Sequence, residues 1–163
     1  MNFRDIDLVP IGADDWALWR KLRLEALGEA PYAFSSRLAD WQGEGDAEPR
    51  WRARLSAVPC NIVSTLRRVP AGMASATAPE DRSVELISMW VAPFARGRGV
   101  GDALIEAIIS WAAEQAAVRV HLAVFESNAR AIALYRRHGF VDAGILDPAD
   151  PGLPVERRMI RDL

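Results

Sequence analysis

Arg96-Gly97-Arg98-Gly99-Val100-Gly101 gathers three glycines and two arginines into six residues. The segment lies between an apolar run, Val84 to Val91, and an amphipathic run that continues to about Gln115. A glycine-rich turn from strand into helix leaves backbone N–H groups free at the positive end of the helix dipole, which is a site for phosphate oxygens. Glycine lets a bulky anion approach the backbone. Arginine adds forked, charge-assisted contacts. The chemistry this predicts is retention of a pyrophosphate-bearing ligand over the start of a helix. Two further side chains are of types that could move protons. Glu85 is a lone carboxylate in the apolar stretch Val84-Glu85-Leu86-Ile87, where a charge needs a reason and partial burial would favour its protonated form. Tyr135 is a phenol, neutral at pH 7 because the free side chain has a pKa of about 10, and so able to donate.

Three phosphate-binding patterns compete for the glycine segment. A P-loop requires Gly-Lys-Ser/Thr, which the chain lacks. A dinucleotide fingerprint, Gly-x-Gly-x-x-Gly, places its third glycine at Asp102 when started from Gly97 and at Leu104 when started from Gly99. The pattern Arg/Gln-x-x-Gly-x-Gly is met at every fixed position.

The elements around these residues can be read from periodicity and punctuation. Asp5 to Ile11 predicts a first strand. Asp14 or Asp15 caps a helix with Trp16, Trp19, Leu22 and Ala26 on one face, ended by Gly28 and Pro31. Ser36 to Trp41 predicts a short helical piece, Gly43 to Pro49 a flexible acidic connector, and Arg50 to Leu55 a short helix. Asn61–Val69 and Met73–Ala78 predict a hairpin turning at Pro70-Ala71-Gly72, with a further turn at Pro79 to Arg82. Val84–Val91 is a strand, and Val100, Ala103, Leu104, Ala107, Ile108 and Trp111 mark the core face of the next helix. Val118–Phe125 has apolar residues at both parities, as in a strand covered on both faces. Ser127 or Asn128 caps a helix to His138, stopped by Gly139. Phe140–Leu146 and Val155–Ile160 are closing strands around a loop at Asp147 to Gly152. The order is that of a mixed α/β domain occupying all of residues 1–163.

Bulk properties narrow the function. The 163 residues are 50% hydrophobic and 26% charged, with a net charge of −2, which disfavours a nucleic-acid footprint. Cys60 is the one cysteine, so no internal disulfide or multi-Cys zinc site is expected, and it reads as a small buried residue. His121 and His138 are the only histidines, too few for a metal site. The N-terminal residues carry Arg4, Asp5 and Asp7 rather than the pattern of a leader, and no apolar run reaches the length of a membrane span. A cytoplasmic protein is therefore expected. Lys21 is the only lysine among 20 basic residues, a bias compatible with a GC-rich bacterial genome.

The glycine segment, with Trp90-Val91-Ala92-Pro93-Phe94-Ala95 before it, resembles the coenzyme A loop of the GNAT superfamily of N-acetyltransferases. A second stretch, Asn128 to Phe140 with Leu134-Tyr135-Arg136-Arg137-His138-Gly139-Phe140 at its end, resembles that family's following motif in the right order and separation. Arg23 to Leu27 and Pro31 to Phe34 are similar to bacterial members. The resemblance implies a mixed, mostly antiparallel sheet of six or seven strands, splayed at its centre and flanked by about four helices. It implies acetyl-CoA as cosubstrate, with Arg96, Gly97, Arg98, Gly99, Val100 and Gly101 around the pyrophosphate. The backbone of Trp90 and Val91 would pair with the pantetheine arm, which Asn128 also contacts. Glu85 then stands as base and Tyr135 as the acid for the departing thiolate. Arg136 or Arg137 would reach the coenzyme's 3′-phosphate, or else form a solvated helix face. Tyr32, Phe34 and Trp41 fall where the family walls its acceptor site. Glu44, Asp46 and Glu48 read as a solvated surface, with steering of a cationic amine as the sharper alternative. The expected partner is a small-molecule amine, attacked directly in a ternary complex; no metal, nucleic acid or membrane is expected, and a homodimer is left open. A protein N-terminus or lysine is the alternative acceptor, and a coenzyme-binding sensor with little catalysis the alternative of another class.

Overall fold

The computed structural model describes residues 5–147 and 152–163. The loop expected over Asp147 to Gly152 therefore lies largely outside the described residues. Seven strands form one mixed sheet: β1 (Ile6–Pro10), β2 (Cys60–Leu66), β3 (Val69–Ala76), β4 (Ser83–Val91), β5 (Arg119–Phe125), β6 (Val141–Leu146) and β7 (Glu156–Asp162). Their spatial order is β1-β2-β3-β4-β5-β7-β6, and every neighbouring pair is antiparallel except β4 with β5. Four α-helices, α1 (Trp16–Glu29), α2 (Glu48–Ala57), α3 (Val100–Glu114) and α4 (Ala129–Arg137), cover its two faces.

The strand period of two separates two cores. Ile62 and Ala74 point into the core under α3 and α4, with Leu104, Ile108 and Phe140. Their neighbours Val63 and Met73 point the other way, into a core built by Trp19, Leu22, Trp51 and Leu55 of α1 and α2. Between those helices the acidic connector is pinned rather than free. Asp46 accepts hydrogen bonds from Arg20 at 2.6 and 2.5 Å and from the Trp51 indole at 2.8 Å, so it serves the fold rather than steering ligands. The Arg20 guanidinium, helped by Trp51, holds its carboxyl down at about 2.

Two sequence expectations are corrected. The first hairpin turns at Arg67-Arg68, not at Pro70-Ala71-Gly72, which lie inside β3. Arg67 and Arg68 both have positive φ, 50° and 69°, the geometry that fits a two-residue turn to the twist of its strands and that usually calls for Asn-Gly. Asp81 and Arg82 repeat it at the second turn, with φ of 49° and 60°. The other correction concerns β5, which is covered along one face but on the other only at its end, where Phe125 is buried. Val120, Leu122 and Val124 are buried while Arg119 and Ala123 are exposed, because the sheet opens beside this strand.

The opening has a local cause. β4 pairs with β5 only from Ser83 to Glu85, opposite Arg119 to His121. Beyond that, β4 is bulged: its register against β3 jumps from Ile87–Ser75 to Trp90–Met73, and Ser88 takes a φ of 54°. A bulge bends its strand and adds twist, and past it the two parallel strands are no longer bonded. Among the described residues no helix is long and apolar enough to cross a membrane.

Candidate active site

The gap between β4 and β5 continues into a cavity of about 1340 Å³. One end is formed by the turn between β4 and α3 and by the start of α4. Arg96, Gly97, Gly99 and Gly101 line it, as do Asn128, Arg130, Leu134 and Tyr135. Gly97 and Gly99 have φ of 73° and 90°, a left-handed backbone that glycine adopts freely, and α3 begins directly after them. Gly101 serves a different purpose: a Cβ there would stand 2.9 Å from Leu134 Cδ2, so its absence lets α3 lie against α4. Of the six loop residues the sequence nominates, two side chains do not line the cavity. Val100 is fully buried in the core and Arg98 faces solvent.

Arg96 is engaged within the protein. Its Nε donates to the Val91 carbonyl at 3.1 Å and its Nη2 to Glu29 at 2.7 Å. The same Glu29 oxygen accepts from the Trp90 indole at 2.9 Å. This cluster ties the end of α1 to the end of β4 and to the loop, and the Arg96 hydrogen bond is the main cause holding the Glu29 carboxyl below its usual range. Asp102 in the first turn of α3 binds the end of α4 in a similar way, accepting from Arg137 at 2.8 and 3.1 Å and sharing a 2.7 Å hydrogen bond with His138. Burial opposes its charge, but those bonds outweigh it and its pKa is lowered. Arg136 turns away to Asp142. Arg98 and Arg130 make no ion pair among the described residues, and of these two Arg130 lines the cavity. Asn128 caps α4, its side chain accepting from the Ala131 N–H at 3.3 Å.

Glu85 lines the middle of the cavity with its side chain 41% exposed. Its partner is His121, at 3.6 Å, rather than Arg82. Ser83 Oγ stands 2.8 Å from the other ring nitrogen, giving the row Ser83–His121–Glu85. Burial lowers the His121 pKa against the opposing pull of Glu85, so the neutral imidazole is the favoured form. Nothing in the sequence marks His121 as a partner of Glu85. It faces Glu85 only through the parallel register of β4 and β5, which leaves no local signal. Tyr135 sits on the inner face of α4, buried, with its ring 5.9 Å from Phe140 edge to face. Burial pushes its phenol above the ordinary value, so it stays protonated.

The far end of the cavity lies under α1, α2 and the segment joining them. Tyr32, Phe34 and Trp41 are all there. Tyr32 is about half exposed, Phe34 packs under the Arg23 guanidinium, and Trp41 stacks on Trp51 with centroids 4.5 Å apart. Two arginines that the sequence did not mark as site residues, Arg23 and Arg54, line the same end. Cys60 is buried within β2 and its thiol is pushed up to about 11 by burial, unsuited to act as a nucleophile. Among the described residues no three His, Cys, Asp or Glu side chains cluster as metal ligands.

A mixed sheet splayed between two parallel strands, with a glycine-rich helix start at the mouth of the gap, is the architecture of a GNAT acetyltransferase. The profile of the acetyltransferase (GNAT) family matches residues 19–140, and the chain belongs to that family. A GCN5-related N-acetyltransferase from Kribbella flavida superposes with a TM-score of 0.78 over 99% of this chain and 100% of its own, at 22% identity. The ribosomal-protein-S18-alanine N-acetyltransferase of Escherichia coli superposes with a TM-score of 0.72 over 96% and 93%, at 21% identity. In sequence the chain is 45% identical over 62 residues to a mycothiol acetyltransferase of Jonesia denitrificans, a match covering 38% of this chain and 20% of that protein. The chain thus spans about a fifth of the length of that relative.

Proposed function

We propose that this chain is an N-acetyltransferase that moves the acetyl group of acetyl-CoA to the nitrogen of a small amine. The observation that carries the reading is one continuous cavity. It joins the Gly97–Gly99 helix start and the unpaired stretch of β4 to Glu85, Tyr135 and an aromatic-walled end under α1 and α2. The residues fit the coenzyme. Left-handed glycines present backbone N–H groups at the start of α3, and Arg130 supplies a cation that makes no ion pair among the described residues. Trp90 and Val91, beyond the last β4–β5 pair, offer backbone for an extended pantetheine arm to join as an added strand. Arg96 fixes the loop through Glu29 and the Val91 carbonyl, so its contribution is shape more than free charge.

In this reading Glu85, with His121 beside it, takes the proton of an arriving ammonium. The free amine attacks the thioester carbonyl, the carbon–nitrogen bond forms, and the carbon–sulfur bond breaks. Tyr135 donates its proton to the leaving thiolate. No acyl-enzyme intermediate is required, in keeping with the buried, high-pKa Cys60.

The test is release of free coenzyme thiol from acetyl-CoA across a panel of small amines and short peptides. Turnover with small amines supports the reading. Turnover with peptides alone makes the chain a protein acetyltransferase, and tight coenzyme binding without turnover makes it a sensor. Glu85→Gln is expected to reduce kcat by about 100-fold at low pH, the lower end of the range of general-base effects. The deficit should shrink as pH rises and the amine arrives unprotonated. A pH–rate profile matching that of the unmodified enzyme removes Glu85 from the mechanism.

A further inference from the structure

Arg23 and Arg54 are partly buried cations with no carboxylate partner among the described residues. The arginines lining the coenzyme end include two that are neutralised, Arg96 by Glu29 and Arg137 by Asp102. At the opposite end, Arg54 donates only to neutral oxygens: Asn61 at 3.0 Å, Ser75 at 3.2 Å and Ser88 at 3.1 Å. Ser88 is the bulge residue of β4, so the distortion that opens the sheet also turns a hydroxyl toward this guanidinium. Arg23 lies over the Phe34 ring, 4.7 Å from its centroid, and its Nη1 is buried with no hydrogen-bond partner. Burial pulls both guanidiniums down to about 10, and Arg54 adds to the effect on Arg23. Both remain charged at neutral pH.

A buried donor without an acceptor is costly, and two like charges without a counterion add to the cost. The arrangement also repels a bare ammonium ion, yet it lies at the acceptor end of the cavity. An amine that carries its own anion resolves all three: it pairs with Arg23, offsets the charge of both arginines and cancels the repulsion. The flat guanidinium fork matches a carboxylate. We propose, resting on the acetyltransferase reading above, that the acceptor is an amino acid or a similar small amine bearing a carboxylate, and that Arg23 and Arg54 hold that carboxylate.

The experiment measures thiol release and calorimetric binding to the enzyme–coenzyme A complex. The probes are the standard L-amino acids, their amides, the matching decarboxylated amines and phosphoethanolamine. At least one amino acid is expected to exceed its own amide in kcat/KM by about tenfold or more, the scale of one charge-assisted hydrogen bond. Arg23→Gln should raise that amino acid's KM about tenfold toward the amide's value, and Arg23→Lys should restore part of the difference. Acetyl-CoA affinity checks that each variant is folded, and the comparison of amino acid with amide in the unmodified enzyme stands without any variant. Amides or plain amines used as well as amino acids overturn the carboxylate assignment while leaving acetyl transfer to small amines in place. So does a preference for phosphoethanolamine. Turnover of peptides alone overturns both readings, and failure of every amino acid to bind or react overturns this one.

Discussion

Tyr135→Phe is expected to lower kcat by about 10²-fold while leaving affinity for acetyl-CoA within about twofold, the signature of a lost proton donor. The substitution removes one oxygen and keeps the ring. The ring holds the packing, through its edge contact with Phe140 and its place among Ile132, Leu134 and the β5 side chains. The hydroxyl belongs to a side chain that lines the cavity near Asn128 and Gly101. Burial raises the phenol's pKa, which favours its role in one direction only. A donor must be protonated, and a raised pKa keeps it so across the neutral range. The unmodified enzyme should therefore show no fall in kcat from this group up to about pH 10, the value of a free tyrosine. Steady-state thiol release and calorimetric titration check both parts. Undiminished kcat removes Tyr135 as the acid, and a loss confined to coenzyme affinity makes it a packing residue.

What the sequence revealed is what local spacing encodes. Arg96 to Gly101 and Asn128 to Phe140 each lie within one strand–turn–helix or one helix, so their residues meet wherever the rest of the chain goes. The Asn128 cap, the Gly139 stop and the core face of α3 follow from the same local rules. The central splay, implied by the family resemblance, is present, but its cause, the bulge at Ser88, has no marker in a run of ordinary strand residues. The Glu85–His121 contact depends on the register of two strands some thirty-five residues apart, and only the fold supplies it. Arg23 and Arg54 look like polar positions on amphipathic helices. Their burial becomes visible only when α1 and α2 close over Trp19 and Phe34. Asp46 misleads in the opposite sense: an acidic, glycine-rich segment reads as solvated, whereas Arg20 and Trp51 make its carboxylate an internal tether. The family resemblance nominates the residues for the chemistry; the pairing of distant strands and helices sets which charges stand beside them.

Gly72→Ala should destabilise the protein by about 2–3 kcal/mol, the upper part of the range for overpacking a core, and weaken acetyl-CoA binding with it. Gly72 reads as a turn residue beside Pro70, but it lies within β3 opposite Val91. A Cβ there would stand 2.8 Å from the Trp90 carbonyl oxygen, 2.9 Å from Ser64 Oγ and 3.1 Å from Leu104 Cδ1. A side chain could rotate away from such a contact; the Trp90 carbonyl cannot, because it belongs to the strand. Relief therefore requires β4 to shift at Trp90 and Val91. The same stretch is anchored by the Trp90 indole on Glu29, by the Val91 carbonyl under Arg96 and by the Ala92 N–H on Ala71. Under the proposed function, moving it would disturb both the backbone assigned to the pantetheine arm and the Arg96–Glu29 brace of the Gly97–Gly99 loop. Thermal unfolding and calorimetric titration of acetyl-CoA should change together, with kcat at saturating coenzyme falling less than the affinity. A variant that melts with the unmodified protein would show that β3 and β4 are not packed this closely, and a loss of stability at full affinity would separate the strand's packing from its service to the coenzyme.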